Sequence, residues 1–206
     1  MQSPAVAQTS RRLLLAVACL LPLARHAQAQ PAPADASNFI TGFAKELTGI
    51  VNGPTANDQK KAALQPIVER NVDVAKVARF CLGRFWASAS PAQQAEYTKT
   101  FHQVLLNEVA GHIGEYQGVS ITVTGAHPQG DNMLVSTIIN RPNTPPANVQ
   151  WVVENKDGTP LIIDLVAEGT SLRLTQRSDY ASYLNHHDNN IATFITALQQ
   201  QVAAGN

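Results

Sequence analysis

The chain has 206 residues, of which 44% are hydrophobic and 15% charged, with 15 basic and 15 acidic side chains. This balance, and the lack of any run of lysine or arginine in the sequence, excludes the basic footprint of a nucleic-acid-binding protein. About 170 residues follow the N-terminal segment, which is enough for one domain with a sizeable core.

The N-terminus has the pattern of an export signal. Arg11 and Arg12 precede an apolar run over 13–23, and Ala27-Gln28-Ala29 matches a small-x-small cleavage site. We predict a signal peptide over 1–29, a flexible lead over 30–36 and a single domain over 37–204. The apolar run is too short to span a bilayer, so we expect a cleaved signal rather than an anchor. The arginine pair fits either a general secretory signal or a twin-arginine signal.

Cleavage after Ala29 would remove three arginines and no acidic residue, leaving 12 basic and 15 acidic side chains and a formal charge of −3. Cys81 would then be the only cysteine, which excludes an intramolecular disulfide. Because apolar residues surround Cys81 in the sequence, we interpret it as a buried small hydrophobe rather than a reactive thiol.

Apolar residues recur at helical spacing in several segments, which predicts about six helices. Gly53-Pro54 ends the first of them, and Asp73 is a suitable N-cap for the third. Ser90-Pro91 with Gln93 is the start signal of a long fourth helix, which we expect to stop at Gly118. The expected helices cover 39–51, 64–68, 74–81, 91–117, 170–184 and 190–202.

Four strands are predicted between the fourth and fifth helices, over 119–124, 133–141, 149–153 and 161–167. The last run is apolar at successive positions, as in a strand covered on both faces. Residues 142–146 contain three prolines and predict a rigid connection. Consecutive strands with short connections favour an antiparallel meander. The fold class is therefore α+β, a four-stranded antiparallel sheet wrapped by about six helices.

Two motifs resemble the MlaC family of periplasmic phospholipid-binding proteins. The stretch from Ala167 to Tyr180, AEGTSLRLTQRSDY, is similar to the family signature. The stretch from Phe80 to Pro91, FCLGRFWASASP, resembles the family's Leu-Gly-basic-aromatic-Trp element. The similarity covers about 39–201. It implies an apolar pocket between sheet and helices that takes phospholipid acyl chains, and a branch associated with hopanoid biosynthesis shares the fold.

The resemblance also implies where the pocket lies. Trp151 and Val153 match the pocket-side strand of the family, and Val166 and Leu172 flank the Glu-Gly junction near its mouth. The predicted lipid-binding residues are Phe85, Phe101, Leu105, Val109, Tyr116, Val135, Trp151, Val153, Ile163, Val166 and Leu172.

Three arginines are candidates for contact with a lipid head group or a partner: Arg84, Arg173 and Arg177. Arg173 and Arg177 are four residues apart and therefore share one helix face. A solvated face, or pairing with Asp179 or Glu168, explains these two as well.

Asp164 lies inside an apolar strand, where burial would raise its pKa, and is the best acid–base candidate. A carboxylate bonded to a helix N-terminus or to a neighbouring arginine explains the residue too, and we favour that interpretation. His186-His187-Asp188 contains metal-ligand residue types, but adjacent residues on one loop rarely converge on one ion. We expect no catalytic residue, no metal and no cofactor apart from phospholipid as cargo.

The predicted function is that of a periplasmic carrier, not an enzyme, which shuttles phospholipid between membrane-bound complexes for an ABC-type lipid transport system. The resemblance implies an inner-membrane complex of the ABC and MCE type and an outer-membrane lipoprotein complex as partners. We expect a monomer that binds no nucleic acid. One alternative is an enzyme for a small hydrophobic substrate on a cone-shaped α+β fold, with Asp164 as base. Another is a hopanoid- or lipid-linked adaptor that carries no lipid.

Overall fold

The computed structural model describes residues 32–111 and 113–205. The predicted signal peptide and the first residues of the predicted lead lie outside the described residues. Within them, the helices are α1 (Pro33–Asn52), α2 (Asn57–Asn71), α3 (Val74–Leu82), α4 (Pro91–Gly111), α5 (Leu172–His186) and α6 (Ile191–Ala203). Two 3-10 helices cover Gly83–Ser88 and Ile113–Tyr116. No helix in this part of the chain is long and apolar enough to cross a membrane.

The predicted start signals of α3 and α4 are confirmed, and a third side-chain cap lies at the start of α5. The Asp73 carboxylate accepts a hydrogen bond of 3.0 Å from the backbone N–H three residues on, which caps α3. Ser90 and Gln93 form a reciprocal capping box at α4, with bonds of 3.2 and 2.9 Å. The Ser171 hydroxyl accepts a bond of 3.2 Å from the Leu174 N–H at the start of α5. Local polar side chains therefore fix where these helices begin.

Two helix boundaries differ from the prediction. The first helix, α1, begins at Pro33, inside the stretch predicted as a flexible lead, because proline suits a first turn and Ala36 is fully buried. The fourth, α4, ends at Gly111 rather than at Gly118. Gly111 and Gly114 lie close together in this region, and their low helix propensity favours the short 3-10 turn that follows.

The sheet is an antiparallel meander, as predicted, in the order β1 (Ser120–Gln129), β2 (Asn132–Arg141), β3 (Thr144–Lys156), β4 (Thr159–Ala167) and β5 (Thr170–Ser171). The expected four strands are wrong, because the sheet has five. The chain reverses at Glu168-Gly169, with positive φ angles of 47° and 80°. Thr170 and Ser171 can therefore pair with β4 before α5 begins.

The rigid connection predicted over 142–146 is also wrong. The turn consists of Pro142 and Asn143 only, and Pro145 and Pro146 already belong to β3. Prolines fit there because the β2–β3 register shifts between Ile139 and Arg141, where a ladder N–H is not required.

The core of the described residues has three main apolar layers and a smaller cluster around Val51, Leu64, Ile113 and Val119. The α1 face is the side of the sheet that packs on α1, and its central members are Val135, Trp151, Val153 and Ile162. The α5 face is the opposite side of the sheet, formed by Leu134, Val152, Ile163 and the half-buried Val166. The helical core joins α3, α4, α5 and α6 around Tyr97, Phe101, Tyr180, Leu184 and Phe194. Because Ile162 and Ile163 are both buried on opposite faces, the prediction that β4 is covered on both sides is confirmed.

Candidate functional site

The α5 face is an apolar surface that is separate from both other layers. Register places Leu134 beside Val152, and a bulge in β4 adds Ile163 to the same side. These three side chains are between 2% and 6% exposed. No member of the helical core belongs to this cluster, although α3 and α5 both lie against this side of β4. The α5 face is therefore an apolar layer between the sheet and the helices.

Register brings the carboxylate of Asp164 into the α5 face, opposite Val152. Its Oδ2 accepts a bond of 2.6 Å from the Ser171 hydroxyl, and its Oδ1 accepts bonds from the N–H groups of Leu165 (2.8 Å) and Arg173 (3.2 Å). Arg173 Nε lies 3.2 Å from Oδ2 as an ion pair that lacks the alignment of a hydrogen bond. The favoured interpretation, a carboxylate held by a helix N-terminus and an arginine, is confirmed.

These bonds give Asp164 a structural role. Both of its oxygens are already engaged by donors from β4 and from the start of α5, and the residue is 8% exposed. A general base must reach the proton it abstracts with a free oxygen. The geometry therefore favours a clamp between sheet and helix over a catalytic base.

Cys81 lies directly behind this clamp. Its Sγ is 3.7 Å from the Arg173 carbonyl oxygen, and the residue is 1% exposed within the helical core. Burial, followed by the negative charge of Asp164, raises the pKa of the Cys81 thiol to about 12. The interpretation as a buried small hydrophobe is therefore confirmed.

Two arginines of α5 stack on one aromatic ring. The guanidinium carbons of Arg173 and Arg177 lie 4.4 and 5.0 Å from the centroid of Phe80. Arg177 also passes over Gly83, where a Cβ would be 3.0 Å from its Nε. Arg84 turns outward, with its guanidinium 4.8 Å from the Phe85 centroid and a bond of 2.6 Å to Asn185. Arg173 and Arg177 therefore lie where α3 meets the first half of α5, and Arg84 lies near the C-terminal end of α5.

Charged side chains also close the other end of the α5 face. Lys76 of α3 forms an ion pair with Glu154 of β3, and Lys156 lies 2.7 Å from Asp73. Burial by itself would raise the pKa of Asp73. The hydrogen bonds from Lys156 and from the Lys76 N–H outweigh burial and lower that pKa below its usual value of 3.8. Asp73 is therefore anionic at neutral pH and joins α3 to the β3–β4 hairpin.

A family model called MlaC protein matches residues 43–200, more than half of the chain. The chain belongs to the MlaC family. A curated relative, the intermembrane phospholipid transport system binding protein MlaC of Haemophilus influenzae, is 26% identical over 127 residues. That alignment spans 59% of this chain and 58% of the relative, so the match covers little more than half of either protein.

The fold is also that of a solved structure. A phospholipid-binding protein from Ralstonia solanacearum, determined in complex with a phospholipid, superposes with a TM-score of 0.72 at 17% identity. The superposition covers 82% of this chain and 98% of the other. At this level of identity the match establishes a shared α+β MlaC-type fold.

The structure distributes the predicted lipid-binding residues of this MlaC-family chain over several layers. Ile163 and Val166 lie on the α5 face, and Leu172 follows Ser171, the partner of Val166 in the sheet. The others lie elsewhere: Val135, Trp151 and Val153 on the α1 face, Phe85 and Phe101 in the helical core, Leu105 and Val109 along α4, and Tyr116 beside a smaller cluster between α1 and β1.

Trp151 and Val166, both predicted to bind lipid, lie on opposite sides of the sheet. Trp151 packs edge-on against Phe43 of α1 at 5.4 Å between ring centroids. Its Nε1–H donates a bond of 3.0 Å to the Thr137 hydroxyl. Trp151 is thus a buried core residue held by Phe43 and Thr137. Val166 is half-buried at the edge of the opposite face.

Sequence reasoning missed Leu134, Val152 and Phe80. Leu134 is adjacent to Val135 along β2, and Val152 is adjacent to Trp151 along β3. Since successive side chains of a strand point to opposite faces, Leu134 and Val152 could have been assigned to the face opposite Val135 and Trp151. Phe80 belongs to the Phe80–Pro91 motif. Its contact with α5 is made across more than ninety residues, so no local pattern reveals it.

The His186-His187-Asp188 segment lies at the C-terminal end of α5. His186 ends α5, and the His187 ring stacks on Tyr183 at 3.9 Å, with its Nδ1 2.7 Å from the Tyr183 carbonyl oxygen. In the part of the chain that the structure describes, no group of three potential ligands could hold a metal ion.

Proposed function

We propose that this MlaC-family protein is a periplasmic phospholipid carrier that moves lipid between membrane-bound complexes and catalyses no reaction. The observation that carries the proposal is the separate α5 face, which lies between the sheet and the helical core and is bordered by charged side chains. The names of the curated relative and of the solved structure support phospholipid as the cargo.

The acyl chains are assigned to the interface between the α5 face and the helices that pack on it, which opens to receive them. On the sheet side they would contact Leu134, Val152, Ile163 and Val166. The α1 face is the weaker candidate, because Trp151 is fixed there by both an aromatic contact and a hydrogen bond. Separating the sheet from α1 would break the Phe43–Trp151 contact. Separating it from α3 and α5 would displace the ion pairs at the border and the hydrogen bonds that Asp164 accepts from the start of α5.

The energetics explain why such a chain needs no catalytic residue. Each acyl methylene that leaves an apolar site for water costs about 0.8 kcal/mol, so free release of a diacyl lipid costs well over ~20 kcal/mol. A carrier that passes the lipid from one apolar site to another avoids most of this cost. Loading and unloading then take place at membranes or membrane-bound complexes.

The three arginines are assigned to the head group. Arg173 and Arg177 are held over Phe80, and Arg84 lies next to Gly83, over which Arg177 passes. Arginine forms bidentate bonds with phosphate, so these side chains suit a phosphate that remains near solvent while the acyl chains are buried.

The same proposal includes a signal peptide over 1–29 and export to the periplasm. It also includes two partners, an inner-membrane complex of the ABC and MCE type and an outer-membrane lipoprotein complex.

Mass spectrometry of lipids extracted from the purified protein tests the function. The full chain is expressed with its own N-terminal segment, purified without detergent and extracted with organic solvent. We expect diacyl phospholipid at about one molecule per chain. A protein that contains no phospholipid and takes none up from vesicles would contradict the carrier function.

A further inference from the structure

The first turns of α5 carry an unusual pair of exposed leucines. Leu172 is 49% exposed and Leu174 is 57% exposed. Across the described residues, only Val109 joins them as a large hydrophobic side chain with more than a third of its surface exposed. We call Leu172, Leu174 and Arg177 the α5 tip. Two of these three exposed hydrophobic side chains therefore lie in the first turn of α5.

A cation lies beside these leucines. Arg177 is exposed, and within the described chain no carboxylate lies within 4 Å of its guanidinium. The nearby acidic groups have other partners. Asp164 forms its ion pair with Arg173, and the Glu168 carboxylate accepts a hydrogen bond of 2.7 Å from the Asn148 N–H. Asp179 forms no ion pair with Arg177 among the described residues, whereas Leu174 is three residues before Arg177 and shares its side of α5. The tip thus presents apolar side chains next to an unpaired positive charge.

The tip is also fixed in this exposed arrangement. The Ser171 hydroxyl accepts the Leu174 N–H and donates to Asp164, and Asp164 accepts the Arg173 N–H. These bonds hold the first turn of α5 on β4, so the leucines cannot fold back without breaking the clamp. A rigid turn with apolar groups flanked by a cation is the chemistry that suits the interface of an anionic bilayer.

We propose that the α5 tip docks directly on an anionic lipid surface and brings the border of the α5 face to the bilayer. This inference rests on the proposed carrier function, because it names the surface at which lipid enters or leaves. Leu172 and Leu174 enter the head-group region, and Arg177 pairs with lipid phosphate. Because the mature chain is expected to be acidic, this local patch determines the orientation of the protein on the membrane.

Co-sedimentation with protein-free vesicles tests the proposal. The purified full chain is mixed with phosphatidylcholine vesicles that contain about 30% phosphatidylglycerol, or with phosphatidylcholine alone. We expect binding to the anionic vesicles, weaker binding to the neutral ones and loss of the difference in about 0.5 M salt. Leu174→Ser should weaken binding about fivefold and the Leu172→Ser/Leu174→Ser double variant about tenfold or more. Arg177→Gln should weaken binding to anionic vesicles about fivefold.

Two matched variants serve as controls. Ala192→Ser makes an exposed apolar position of α6 polar, and Lys99→Gln removes an exposed cation of α4, so both should bind as the unchanged protein does. A protein that does not bind protein-free anionic vesicles, or tip variants that bind like the controls, would overturn the proposal and favour docking on a membrane protein. If the protein retains phospholipid but binds no vesicle, only this inference fails. If it binds vesicles but retains no phospholipid, the carrier function fails instead.

Discussion

Val166→Glu is expected to abolish phospholipid retention while leaving the protein folded. Val166 is half-buried at the edge of the α5 face, so a glutamate there can reach solvent when the site is empty. When acyl chains fill the site, the same carboxylate meets hydrocarbon, which lowers the affinity for lipid by about 3 kcal/mol or more. Circular dichroism measures folding, and the ratio of extracted lipid to protein measures retention.

Trp151→Glu provides the matched comparison on the other side of the sheet. This substitution buries a charge against Phe43 and removes the bond to Thr137, so we expect loss of the folded protein rather than selective loss of lipid. Thr122→Glu, at an exposed position of β1, should change neither property. If folded Val166→Glu protein retains lipid at the wild-type ratio, the assignment of the α5 face is wrong.

Asp164→Ala should lower the free energy of unfolding by about 3 kcal/mol, because it leaves the Arg173 guanidinium without its ion pair and three hydrogen-bond donors without their acceptor. The loss should be concentrated at the junction of β4 and α5. Urea unfolding followed by circular dichroism measures the change.

Asp164→Asn separates charge from hydrogen bonding. The amide keeps one acceptor oxygen, so we expect a smaller loss of about 1–2 kcal/mol and little change in lipid binding. Equal destabilisation by asparagine and alanine would show that the charge, and not the set of hydrogen bonds, holds the clamp. A folded Asp164→Asn protein that loses all retained lipid would argue against a purely structural role for this residue.

The fold was largely predictable because its signals are local. Ser90 and Gln93, three residues apart, form the capping box that begins α4. Asp73 and Ser171 cap α3 and α5 through equally local hydrogen bonds. The fifth strand was not predictable in this way. It depends on Glu168 and Gly169 both adopting positive φ, which lets two residues return along β4 before the helix begins.

The candidate site was predicted less well, because its geometry depends on long-range packing. The alternation along β3 separates Trp151 from Val152, but it does not say which side packs on α1 and which on α5. The resemblance gave Trp151 and Val166 as two lipid-binding residues, and the strand register places them on opposite faces of the sheet. The bulge that adds Ile163 to the α5 face, and the stacking of Arg173 on Phe80, involve partners that no local pattern connects.

The most direct test of the account is to locate the acyl chains by crosslinking. Phosphatidylglycerol with a photoreactive group near the end of one acyl chain is loaded into the full chain, irradiated, and the modified residues are identified by mass spectrometry. We predict modification of Leu134, Val152 or Ile163 and of helical-core residues opposite them, suppressed by excess unlabelled lipid. Modification confined to α1 and to Val135, Trp151 or Val153 would contradict the account, because it would place the lipid on the α1 face.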